Sequence, residues 1–205
     1  MSIGVKGLAV KGIKDVIHEQ TEPINTWFRE DLSRRNTLLI VGSLFFDLIN
    51  LVGMYRFARY GTTYRIVMAV AVFFAVREFC IWVFQSEPPQ GYAWGYPGVM
   101  SIFVPYGETY DFFYSGSVGV CMFNFLEFQA VGWTSWSIIS IFTLVYQCFM
   151  HIALRSHYTM DIISGIVFAH YFWIISEKYS YLVDWHLFGI PLGKRQSKDR
   201  DLTDE

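Results

Sequence analysis

Charge is scarce in this sequence. Asp, Glu, Lys and Arg together make up 17% of its 205 residues, against about 25% in an average soluble domain. So little polar surface does not wrap a water-soluble body of this size. A mean hydropathy of +0.31 points to lipid as the solvent for much of it. The basic residues come as scattered singles and pairs, and the net charge is -2. A nucleic-acid partner would need a basic stripe, so that class is excluded. Cysteine is almost missing. Cys80, Cys121 and Cys148 are odd in number, lie inside apolar runs and lack metal-ligand spacing. They read as small core residues, which excludes a disulfide framework and a metal site. An internal repeat, a second domain and a signal-peptide core with a small-residue cleavage site are also lacking.

Long apolar runs are present instead. A bilayer core needs about 20 mostly apolar residues per helix. Five runs fit: 37–55, 64–85, 112–131, 135–154 and 158–176. The expected fold is an all-α integral membrane bundle of about five transmembrane helices. Residues 1–35 form an N-terminal segment whose first 20 residues have an amphipathic pattern. This suits a helix lying at a membrane interface, and equally an ordinary surface helix packed on its own protein. Residues 36–180 are the transmembrane domain, and 181–205 a tail, polar from Gly193 on. Four of the six prolines fall between Gln85 and Asp111. That connection is expected to cap the membrane surface, with 99–105 dipping into the interface. Lys and Arg nearly balance on the two sides, so orientation is open.

Ionisable residues inside spans are expensive and mark candidate sites. Asp47, Arg77, Glu78 and Glu127 qualify, although Asp47 and Glu127 also suit a structural pair or an interfacial position. Adjacent Arg77 and Glu78 point about 100° apart on a helix and are not expected to pair. His157 and Asp161 are four apart at the start of a span and share a face. An Asp hydrogen-bonded to one imidazole nitrogen raises the basicity of the other, which a histidine nucleophile or base requires. Arg155 beside them is a candidate phosphate ligand. Spans three and five enter from the same side, so "YSGS" (114–117) and "RSHYTMD" (155–161) should meet there, with Arg77 reaching them from below.

Three stretches carry a family resemblance: "ARYGTTYRIVMAVAVFFAVREFCIWVFQSEPP", "YDFFYSGSVGV" and "HIALRSHYTMDIISGIVFAHYFW". Their order and spacing resemble the sphingomyelin synthase-related branch of the lipid phosphate phosphatase/phosphotransferase superfamily, over roughly residues 55–176. The resemblance implies a metal-free, cofactor-free site in which His157 and Asp161 are catalytic. Arg77, Arg155 and Tyr114 would hold the head group. It also implies a substrate pair such as phosphatidylcholine and ceramide or diacylglycerol. The departure is Ser117, which stands where the family carries its second histidine. A serine has no pKa suited to acid catalysis near neutrality. The sequence therefore suggests a protein impaired in that chemistry, binding lipid head groups or serving as a structural subunit of a membrane complex. An active phosphotransferase or lipid phosphatase using His157 and Asp161 is the alternative, with His151 as a replacement acid. A transporter or channel is a third class. The expected partners are membrane lipids and other membrane-protein subunits. The expected location is an endomembrane (ER or Golgi) or the mitochondrial inner membrane.

Overall fold

The structure is a computed structural model that describes residues 13–106 and 112–189. The described residues form seven helices: α1 (Val16–Gln20), α2 (Glu22–Arg29), α3 (Leu32–Tyr60), α4 (Arg65–Val83), α5 (Gly116–Ala130), α6 (Thr134–Leu154) and α7 (Thr159–Phe188). Four of them, α3, α4, α6 and α7, are long and apolar enough to cross a membrane. Their outward faces carry exposed Leu44, Phe79, Trp82, Phe142, Val145 and Val167.

Five spanning helices were expected, and the third differs. The run 112–131 yields a helix of only 15 residues, α5, about 22 Å long at 1.5 Å per residue and short of a ~30 Å hydrocarbon core. Its N-terminal end is held back by α7. Ser115 N–H donates to the Asp161 carbonyl at 2.8 Å, so residues 112–115 stay outside the helix. The close approach depends on Gly165, because a Cβ there would stand 2.8 Å from the Ser115 carbonyl oxygen. α5 nevertheless runs through the middle of the bundle, packed on α6, α7, α3 and α4.

The helix ends have local causes. Asp31 caps α3, accepting from Ser33 N–H at 2.8 Å and Arg34 N–H at 3.3 Å. Helix α6 stops at Arg155, whose φ of 51° is left-handed, a conformation uncommon for a side-chain-bearing residue. Three contacts hold it there. The Arg155 guanidinium donates to the Gln90 carbonyl at 2.7 Å, to the His18 carbonyl at 2.6 Å and to the Glu22 carboxylate. At the other face, α7 does not break near 180 but continues to Phe188. Its buried Asp184 accepts the Tyr64 amide at 2.8 Å, which ties the α3–α4 turn to it. The first part of the expected tail is therefore helix.

The expected N-terminal helix begins in residues 1–12, outside the described residues. The rest of that segment forms two short helices. α1 and α2 turn His18 and Asn25 inward and leave Val16, Ile17, Ile24 and Trp27 exposed. The segment packs on its own protein: Asn25 donates to the Gly91 and Ala153 carbonyls at 3.0 and 2.9 Å. It also presents an apolar outer face of the kind an interface accepts.

The proline-rich connection does more than cap. Its segment 101–106 descends between helices to the level of Asp47, which lies about 22 Å along α3 from Leu32. The Asp47 carboxylate accepts from Ser101 Oγ (2.8 Å), Ile102 N–H (2.9 Å) and Phe103 N–H (3.1 Å). Phe103 and Val104 pack on Phe46, Ile49, Cys121 and Leu144. Non-helical backbone at such depth is tolerated only where its polar groups are satisfied by protein, and Asp47 satisfies them.

Candidate lipid head-group site

The polar end of the bundle is assembled from four elements. The end of α4 supplies Arg77, the start of α5 supplies Ser117, the end of α6 supplies His151, and the α6–α7 turn supplies Ser156 and His157. The motif regions that sequence places on one face do meet. The His151 and His157 rings lie 4.8 Å apart, edge to face.

His151 is the central group. It is 3% exposed. Its Nε2 lies 2.6 Å from Ser117 Oγ, and its Nδ1 lies 2.6 Å from Ser156 Oγ. Ser115 Oγ stands 3.3 Å from Ser117 Oγ and 3.5 Å from His151 Nε2. Trp94, from the inserted connection, stacks on the imidazole at 5.7 Å. A neutral imidazole donates from one nitrogen and accepts at the other. One tautomer therefore takes the Ser117 proton and gives its own to Ser156, and the other reverses both bonds.

The His157–Asp161 pair is looser. His157 Nδ1 is 3.7 Å from Asp161 Oδ2, beyond hydrogen-bond length, and is buried without a hydrogen-bond partner. Asp161 Oδ2 instead accepts the Tyr158 amide at 2.9 Å. The aspartate acts first as the cap of α7, and its negative charge suits that helix N-terminus.

Three expected site residues are placed differently from one another. Arg77 lines a large cavity between the helices, and its Nε donates to the Tyr114 carbonyl at 2.9 Å. Its guanidinium also comes within 3.6 Å of the Glu78 carboxylate, a pairing that ideal side-chain directions did not anticipate. It forms because the exposed Glu78 side chain is long enough to bend back. Tyr114 is fully buried, and its hydroxyl donates to the Phe73 carbonyl at 2.5 Å. It fixes Arg77 and does not line the cavity. Arg155 points away from the cavity onto the N-terminal segment and the 84–106 connection. Its predicted phosphate contact is replaced by the anchoring that its left-handed backbone requires.

The cavity has a volume of about 920 Å³, within the range of small-molecule pockets. Arg77, Ser117, His151, Ser156 and His157 line one end, and Arg56 and Glu127 the other. Ser117 to Glu127 spans about 15 Å of α5. The walls between are apolar and include Phe46, Val70, Phe74, Val120 and Phe123. α3 and α4 flank this space and pack mainly on other helices. Met54 and Val67, one from each helix, line the cavity and are 59% and 46% exposed. The space is therefore a slot open sideways between α3 and α4.

Sequence reasoning did not place the polar floor of that slot. Glu127, 6% exposed, binds Arg56 at 2.6 Å and Arg65 at 2.9 Å. Asn124 donates to Asn50 at 3.1 Å midway along the slot. Glu127 alone left its partners open, because Arg56 and Arg65 sit at helix ends, where basic residues are common. Among the described residues, no group of three His, Cys, Asp or Glu side chains is placed to hold a metal ion.

No protein-family model matches the chain, and neither a curated protein nor a solved structure does.

Proposed function

We propose that this chain is an integral membrane protein that holds one phospholipid, its phosphate at Arg77, His157 and Ser117 and its acyl chains in the α3–α4 slot. The observation that carries this reading is the slot itself: a polar cluster at one end, apolar walls about 15 Å deep, and a lateral opening between two long apolar helices. That depth is half of a ~30 Å hydrocarbon core, the depth of one leaflet. An acyl chain moving from bilayer to slot exchanges one apolar medium for another, so apolar contact alone gives little affinity. Selectivity then falls on the head group. A buried guanidinium, an imidazole and a serine hydroxyl that line one end of the same cavity suit a phosphate.

The test is thermal unfolding of the purified protein in detergent with added short-chain phosphatidylcholine or the matching diacylglycerol. Ligand that binds only the folded state raises stability by about 2.7 kcal/mol at 100 times its Kd. We expect the phospholipid to raise Tm and diacylglycerol not to, with the increment reduced in His157→Ala. Equal shifts from both lipids would remove the phosphate from the reading.

One observation favours a second reading, head-group transfer by His157 with His151 as its acid: the two imidazoles lie 4.8 Å apart. Against it stands Asp161, engaged as a helix cap and not hydrogen-bonded to His157. Turnover of fluorescent ceramide with phosphatidylcholine, lost in His157→Ala, would establish transfer over binding.

A further inference from the structure

Ser117, His151 and Ser156 form an unbroken chain of hydrogen bonds: Ser117 Oγ to His151 Nε2 at 2.6 Å, and His151 Nδ1 to Ser156 Oγ at 2.6 Å. A serine hydroxyl becomes a useful nucleophile when a base within about 2.6–3.2 Å takes its proton and a third group orients that base. All three parts are present. Trp94 stacked on one face of the imidazole holds the ring plane. All three line the slot; Ser117 is half-buried, whereas His151 and Ser156 are buried. The reactive oxygen thus faces the space where a lipid would lie, and the base is shielded from water.

The surroundings suit a developing oxyanion. Ser117 is the second residue of α5, and Ser115 provides no side-chain cap for that helix. The first N–H groups of a helix lack intrahelical acceptors and carry the positive end of its dipole. The Arg77 guanidinium lies beside them; its Nε stands 3.6 Å from where a Cβ on Gly116 would be.

We infer that Ser117 is a nucleophile activated by His151, with Ser156 as its positioning residue, acting on the carboxylic ester of a glycerolipid lodged in the slot. In a glycerophospholipid the ester carbonyls lie between phosphate and acyl chains. Ser117 likewise lies between the polar end, His157 and Arg77, and the apolar wall that starts at Val120 and Phe123. In the reaction Ser117 Oγ attacks the carbonyl carbon as its proton passes to His151 Nε2. The carbon–oxygen bond to glycerol breaks, and the alkoxide leaves with that proton. Water, deprotonated by His151, then releases fatty acid from the acyl-serine and restores the hydroxyl. The inference rests on the lipid-binding reading and changes the reaction class from phosphorus to carbonyl carbon.

The test uses the full chain in phosphatidylcholine nanodiscs, treated with an alkyl fluorophosphonate and analysed by peptide mass spectrometry, with lysophospholipid and fatty acid release measured in parallel. The expected result is an adduct on Ser117 and slow ester cleavage. Both should fall about 100-fold or more in His151→Gln, the scale of losing a general base, and several-fold in Ser156→Ala, with recovery in Ser156→Thr. Variants are compared only where their thermal unfolding matches the parent; should His151→Gln fail to fold, the Ser156 pair decides. An unmodified Ser117, or labelling unaffected by His151→Gln and Ser156→Ala, overturns the inference. A phosphoserine at 117 after incubation with phospholipid overturns it too, in favour of chemistry at phosphorus. Co-purified phospholipid, measured by native mass spectrometry, separates the two claims. Bound lipid without labelling defeats the nucleophile alone, and absence of both defeats the binding reading as well.

Discussion

Asp161 Oδ2 accepts the Tyr158 amide at 2.9 Å and stands 3.7 Å from His157 Nδ1. One carboxylate oxygen serves the backbone, and the imidazole is left without the partner that the four-residue spacing promises. Asp161 is the third residue of α7 and satisfies the amide of the N-cap residue Tyr158. Losing one such hydrogen bond costs about 1 kcal/mol, so Asp161→Ala should lower stability by that order, read as a lower Tm in detergent. His157→Ala, removing a ring whose Nδ1 has no hydrogen bond, should cost less. A larger loss for His157→Ala than for Asp161→Ala would mean that the pair is closed in the native protein.

Asp47 makes a sharper prediction. It accepts three hydrogen bonds from the inserted connection, and each buried donor left unpaired costs about 1–3 kcal/mol. In Asp47→Ala the segment 101–104 should withdraw, because its N–H groups find water only outside the bundle. Hydrogen exchange at Ile102 and Phe103 should then rise by at least tenfold, while the core of α5 stays protected. Unchanged exchange would mean that Phe103 and Val104 hold the segment by packing alone.

These two aspartates show what was legible in the sequence. The apolar runs, their order and the meeting of 77, 117, 151 and 157 at one end follow from hydropathy and from counting crossings. The His151–Ser117 contact followed in outline, since His151 ends a run on the correct side. The shortness of α5, the descent of 101–106 and the direction of Arg155 did not. Each depends on a long-range partner: the Asp161 carbonyl and Gly165 for the first, Asp47 for the second, His18 and Gln90 for the third. Hydropathy reads solvent preference residue by residue, and is silent on which distant backbone group a side chain will satisfy.

Glu127 balances two buried guanidiniums, Arg56 at 2.6 Å and Arg65 at 2.9 Å, while the half-exposed Glu177 reaches Arg65 at 3.5 Å. Glu127→Gln keeps the shape and removes the charge. Breaking a buried pair from one side costs about 3–5 kcal/mol because the remaining charge stays uncompensated. The variant should unfold at clearly lower temperature. Arg56→Met in the same chain should recover part of the loss by removing one unmatched charge. If the double variant is no more stable than Glu127→Gln, hydrogen bonding and not charge is what Glu127 supplies.

The N-terminal segment should loosen in mild acid. Burial holds the His18 imidazole below its ordinary value of 6.5, outweighing the attraction of Asp15, and the nearby Arg155 pushes it the same way. Asp15 lies 3.8 Å away and the Tyr158 ring 6.1 Å, Arg155 donates to the His18 carbonyl, and the His157 backbone and the Asp161 charge act weakly in the direction of Asp15. With the attached pKa depressed, the detached segment binds a proton first. The stabilisation is fully present above about 6.5 and is lost as pH falls from there through the attached value. Asp15, also lowered despite its own burial because Thr159 and His18 N–H groups bond it, adds a loss only below its ordinary 3.8. Hydrogen exchange of residues 16–27, corrected for intrinsic rates, should therefore rise between pH 7.5 and 5.5. His18→Gln, which cannot titrate, should flatten that rise. An equal rise in the variant would assign the loosening to some other group.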